Sequence, residues 1–93
     1  LKKKLLEFLK KGSVEIFGKK IVVESFGKKE LPSSMGEADI KAGKVWLSEE
    51  LPEDTKAETL MHEMIHIISA DLNLSLTEQQ VAGLSVALYS IFK

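Results

Sequence analysis

Thr59-Leu60-Met61-His62-Glu63-Met64-Ile65-His66-Ile67-Ile68-Ser69-Ala70-Asp71-Leu72 repeats its apolar residues at the spacing of an α-helix. Leu60, Met61, Met64, Ile65, Ile67, Ile68 and Leu72 form a wide apolar stripe, and His62, Glu63, His66, Ser69 and Ala70 fill the small remaining arc. A helix of this kind is expected to be embedded on most of its sides. Both histidines of the chain lie in the polar arc. Residues four apart are about 40° apart around a helix, so the two imidazoles project from one face and can bind a single metal ion. Glu63 stands beside them, within reach of a water on that metal. Two neutral nitrogen ligands and an adjacent base are what metal-assisted hydrolysis requires. The plain alternative is a pair of satisfied core histidines with Glu63 in solvent. The coherence of the polar arc favours a cleft floor instead.

Working outward from this helix gives an α+β order. Pro52 suits a first helical turn and Thr55-Lys56-Ala57-Glu58 has capping-box form, so the helix is expected to start between 52 and 56 and to end near Leu72. Upstream, Ala38-Asp39-Ile40 and Val45-Trp46-Leu47-Ser48 flank Lys41-Ala42-Gly43-Lys44 and read as a hairpin. Val14-Glu15-Ile16-Phe17 and Ile21-Val22-Val23-Glu24-Ser25-Phe26 are rich in β-formers and read as another, turning at Gly18-Lys19-Lys20. Gly27 to Gly36, with Pro32 and two serines, reads as a loop. Leu1, Leu5, Phe8 and Leu9 predict a first helix over residues 1–11, closed by Gly12. Downstream, Asn73-Leu74-Ser75-Leu76 breaks the motif helix. A last helix is expected from Thr77 or Glu78 to Phe92, with Val81, Leu84, Leu88 and Ile91 as its core stripe. The whole predicts one domain over residues 1–93, with an N-terminal helix, a three- or four-stranded sheet, a motif helix and a C-terminal helix.

Composition narrows the functional classes. The chain of 93 residues has no cysteine, which removes disulfides and thiolate ligands and fits a reducing, cytoplasmic compartment. No apolar run is long enough to span a bilayer, so no membrane role and no signal peptide are expected. The first residue is leucine rather than methionine, which is compatible with further sequence upstream. The net charge of −1 hides an asymmetry, because residues 1–30 hold nine lysines against four glutamates and residues 31–93 hold four lysines against ten acids. Every basic residue is lysine, so bidentate phosphate recognition by arginine is absent. Nucleic acid is not expected as the main partner.

Catalytic zinc usually takes three protein ligands and leaves a fourth position for water. Asp71 is five residues beyond His66, about 140° away around the helix, and faces elsewhere. Glu58 is one turn before His62 on roughly the correct face, although it also pairs with Thr55 in the capping-box reading. Glu78 opens the last helix, where a short reversal would return its carboxylate to the histidines. Its competing role is a cap with Ser75, for which Thr77 with Gln80 offers a substitute.

Thr59-Leu60-Met61-His62-Glu63-Met64-Ile65-His66 followed by Glu78-Gln79-Gln80-Val81-Ala82 resembles the gluzincin branch of zinc metallopeptidases. The likeness is to the single-domain minigluzincins and the small phage-associated or ImmA/IrrE-like peptidases. It extends over residues 36–93 through Gly36-Glu37-Ala38-Asp39 and Val45-Trp46-Leu47-Ser48, which are similar to the sheet edge of those proteins. The resemblance implies a minimal zincin-like domain that hydrolyses peptide bonds. It implies one zinc per chain, held by His62, His66 and Glu78, with Glu63 as the general base acting on zinc-bound water. Ser69 and Leu72 stand where the metzincin pattern has glycine and a third histidine. Gluzincins commonly use a tyrosine or histidine to stabilise the oxyanion. No further histidine exists here, and Tyr89 lies roughly 16 Å from Glu78 along a helix axis.

A peptide or protein substrate would add to a sheet edge supplied by Gly36 to Ile40 or by Val45 to Ser48. With Val45 and Leu47 facing the core, Trp46 is expected on the other face, either bordering the cleft or packing against another helix. The alternative function is a metal-binding regulatory or zymogen-like module with an occluded cleft.

Overall fold

The computed structural model describes residues 2–27 and 35–92. Its order is α1 (Lys2–Lys11), β1 (Ser13–Ile16), β2 (Lys19–Phe26), β3 (Gly36–Asp39), β4 (Lys44–Ser48), α2 (Glu53–Asp71) and α3 (Glu78–Phe92). The chain is therefore α+β, with a four-stranded mixed sheet and three helices among the described residues, in the layout expected. Most of the loop expected over 27–36, residues 28–34, lies outside the described residues, and Gly36 belongs to β3.

The sheet order is β1-β2-β4-β3. The outer pairs are the two antiparallel hairpins, and they join through a parallel pairing of β2 with β4, Val22 to Phe26 against Lys44 to Ser48. This places β4 inside the sheet and leaves β3 as an edge. Alternate residues Val14, Ile16, Ile21, Val23, Val45 and Leu47 are buried. They form one core with Leu5 of α1 and with Ala57, Leu60 and Ile67 of α2. Each fully buried Leu or Val contributes roughly 1.5–3 kcal/mol relative to exposure. α2 is thus held between the sheet, α1 and α3.

Local chemistry sets the ends of these elements. Gly12 adopts φ +81° and its N–H donates to the Phe8 carbonyl at 2.8 Å, which closes α1 as expected. The first hairpin turns at Phe17-Gly18, one residue earlier than read, with Ile16 opposite Lys19. Both central residues have positive φ, 51° and 78°, as a two-residue hairpin turn of this hand demands. Phe17 is consequently an exposed turn residue and not the end of a strand.

α2 begins at Glu53 after Pro52, so Thr55 and Glu58 stand inside the helix rather than forming its cap. Its acidic first turn, Glu53 and Asp54, complements the positive end of the helix dipole. α3 spans the expected residues but is rotated from the expected stripe. Val81, Ser85 and Tyr89 are buried, while Leu84 and Ile91 are exposed. A helix apolar on nearly every face does not reveal its packed side by periodicity; here contact with α2 selects Ser85 and Tyr89. Among the described residues, no helix is long and apolar enough to cross a membrane.

Candidate metal centre

His62, Glu63 and His66 lie near the middle of α2, and one ligand atom from each lies within 4.8 Å of the others. The imidazole rings meet edge to face with centroids 5.0 Å apart. Glu78 closes the group from the first position of α3. Its Oε1 lies 2.6 Å from His62 Nε2 and its Oε2 lies 2.8 Å from His66 Nε2. A carboxylate can only accept, so each imidazole donates through Nε2–H to one oxygen of the same carboxylate.

Three local devices return Glu78 to the histidines. α2 ends with Asn73 at φ 59°, its N–H donating to the Ala70 carbonyl and that of Leu74 to the Ser69 carbonyl, a Schellman closure. The Ser69 hydroxyl then accepts the Leu76 N–H at 3.1 Å, which pins the reversing chain against α2. Finally Thr77 and Gln80 exchange hydrogen bonds, each side chain accepting the other's backbone N–H, at 2.9 and 3.1 Å. This capping box starts α3 and leaves the Glu78 side chain to the histidines.

The other carboxylates considered above fall elsewhere. Asp71 accepts from Lys19 Nζ at 3.2 Å, on the far side of the helix end. Glu58 lines the cleft without contacting a histidine. Glu63 is only 7% exposed, whereas the Glu78 side chain is 70% exposed. Burial raises the Glu63 carboxyl above its ordinary range; His66 opposes this, while the Glu78 and Glu37 carboxylates add to it.

The donor set suits a divalent ion. Two imidazole nitrogens and a carboxylate converge, and tetrahedral ligands about 2.0–2.1 Å from zinc would stand about 3.3 Å apart. The nitrogen–oxygen contacts here, 2.6 and 2.8 Å, differ from that by well under 1 Å. Replacing the two nitrogen–oxygen contacts by one ion therefore asks for a small outward motion of an exposed side chain.

Two cavities flank the group, one of 420 Å³ between α2 and α3 and one of 310 Å³ beside β3. Gly36, Glu63 and Glu78 line both. β3 reaches this position because Gly36 lacks a side chain: a Cβ there would lie 2.7 Å from Thr59 Cγ2 and 3.1 Å from both Leu47 Cδ2 and the Trp46 carbonyl. Pairing of Met35 with Ser48 and of Glu37 with Trp46 leaves the main-chain groups of Ala38 directed away from β4, toward the open edge.

Val45, Trp46 and Leu47 do not border the cleft. β4 is hydrogen-bonded on both sides, Val45 and Leu47 are buried in the core, and Trp46 lies on the opposite sheet face, level with Glu24 and Glu37. Of the two strands proposed as a substrate edge, only β3 is at the edge. Tyr89 is also removed from the site. Its hydroxyl donates to Asp54 Oδ1 at 3.0 Å, tying α3 to the start of α2.

Met35, Ala82, Ser85 and Val86 join the site without a role read for them in the sequence, whereas Gly36 reads there as the start of a candidate substrate edge. Only Gly36 carried a local signal, since an isolated glycine in a strand can mark a close approach of backbone. Comparison with family models, with curated proteins and with solved structures finds no match.

Proposed function

We propose that this chain is a zinc-dependent peptidase of the gluzincin type, with zinc held by His62, His66 and Glu78 and with Glu63 as general base. The reading is carried by one observation: the two oxygens of Glu78 each reach one histidine Nε2, beside a buried carboxylate. Glu78 is preferred over Glu63 as third ligand because it is the group in contact with the imidazoles. Two imidazoles and a carboxylate, with a face left open, suit zinc among the common ions.

Bound there, zinc would supply Lewis-acid polarisation. Glu63 would accept a proton from the attacking water and deliver it to the departing amine. Burial among Gly36, Ala38 and α2 keeps its carboxylate poorly solvated, which favours proton acceptance. The edge of β3 aligns the substrate main chain, and side chains flanking the scissile bond enter the two cavities.

A second reading, a metal-binding module without turnover, draws on the engagement of Tyr89 by Asp54. That contact removes the tyrosine from oxyanion stabilisation. The two readings part when zinc-loaded and chelated protein are each incubated with a broad peptide library and the products are read by mass spectrometry. Cleavage in the zinc-loaded sample alone is the expected result. Zinc-loaded protein that cleaves no peptide contradicts the peptidase reading.

A further inference from the structure

The 420 Å³ cavity lies beside His62, where a side chain next to the scissile bond would enter. Its most buried wall is made by small residues, Thr59 and Ser85, with Gly36 and Ala82 alongside, so a long side chain can pass into it. Met35 and Val86 supply an apolar rim. Among the described residues, the lining contains three carboxylates, Glu58, Glu63 and Glu78, and no lysine. Two of these face the histidine pair. Glu58 has no hydrogen bond or ion pair among the described residues.

This combination selects one class of side chain. An apolar passage alone would accept any aliphatic residue. A passage with an uncompensated carboxylate on its wall favours a cation on an aliphatic stem, whose methylenes cover the apolar rim while the charge meets the acid. We propose that the cavity binds a lysine or arginine side chain flanking the scissile bond, and that Glu58 determines this specificity. The proposal rests on the peptidase reading for the words "scissile bond", but the pocket can be tested without turnover.

The probe is a set of alanine heptapeptides with lysine, norleucine or glutamate at the central position. Binding is measured calorimetrically to the zinc-loaded Glu63→Gln protein. Lysine is expected to bind about five- to tenfold tighter than norleucine, as a part-buried ion pair provides, with glutamate weakest. Adding Glu58→Gln should bring the lysine-to-norleucine ratio to about one while norleucine affinity is kept, and Glu58→Lys should move the preference to glutamate. A ratio unchanged by Glu58→Gln, norleucine binding as tightly as lysine, or binding of neither peptide overturns the proposal. A lysine peptide that binds with this ratio yet is never cleaved by zinc-loaded wild type refutes the peptidase reading and leaves the pocket standing.

Discussion

His62 Nε2 and Glu78 Oε1 are 16 positions apart in sequence and 2.6 Å apart in space. The chain between them spends a Schellman closure, a hydroxyl anchor on Ser69 and a Thr77–Gln80 capping box on making that approach. Each of these is a local feature, and each can be removed singly. The contact therefore gives direct access to the metal assignment.

Glu78→Gln should weaken zinc binding by on the order of tenfold or more, since it deletes a charged ligand while preserving shape. Asp71→Asn and Glu58→Gln should leave the affinity near that of the wild type. Calorimetric titration of the metal-free protein measures all three. Equal affinities for wild type and Glu78→Gln would remove Glu78 from the site.

The capping box predicts a stability effect without new chemistry. Thr77→Ala should cost about 1 kcal/mol in urea unfolding, because the Gln80 N–H loses its acceptor. The Thr77→Ala, Gln80→Ala double variant should lose less than the sum of the two single losses, since both act through one reciprocal pair. Strict additivity would show that the box is not a unit.

Gly36→Ala tests the close approach of β3 to α2. The added methyl meets Thr59 Cγ2 and a fixed backbone carbonyl, so a loss of roughly 1–3 kcal/mol is expected. Thr59→Ser removes the Cγ2 contact and should recover part of that loss in the double variant. Gly36→Ala that unfolds at the wild-type denaturant concentration would contradict the packing described.

Much of this was legible in the chain itself, for physical reasons that differ by element. α1 and α2 announce themselves by periodicity and by Gly12 and Pro52, and the histidine spacing fixes a shared face wherever the helix runs. Glu78 could be picked out because Thr77 and Gln80 supplied another cap. The strand order was not legible, since β2 and β4 pair across an intervening strand and nothing local encodes that partner. Phe17 was read as strand because aromatic residues favour strands, and the turn geometry overrode that preference. Ser85 and Tyr89 were missed because burial of a polar side chain depends on what packs against it. The same blindness left the role of Trp46 open between cleft and packing, since that role depended on knowing that β4 is interior.

Tyr89 is the single tyrosine of the chain, so its titration can be read directly by absorbance. Burial, then the hydrogen bond to Asp54 and the charges of Asp54 and Glu58, push its hydroxyl up to about 12. The ordinary value, about 10, applies to the unfolded chain. A raised folded value means the neutral phenol stabilises the fold below pH about 10, and that this contribution is lost as the pH rises through about 12. Tyr89→Phe should lack that component of alkaline destabilisation. A folded-state midpoint near 10 would contradict the buried contact with Asp54.

Glu63→Gln tests the central claim most directly, because it keeps size and both histidine ligands and removes only the group that accepts the water proton. Zinc content by elemental analysis and peptide cleavage by mass spectrometry are measured on the same samples of wild type, Glu63→Gln and His62→Ala. The account predicts one zinc per chain in wild type and Glu63→Gln, cleavage in wild type alone, and loss of both in His62→Ala. Cleavage that persists in zinc-loaded Glu63→Gln would contradict it.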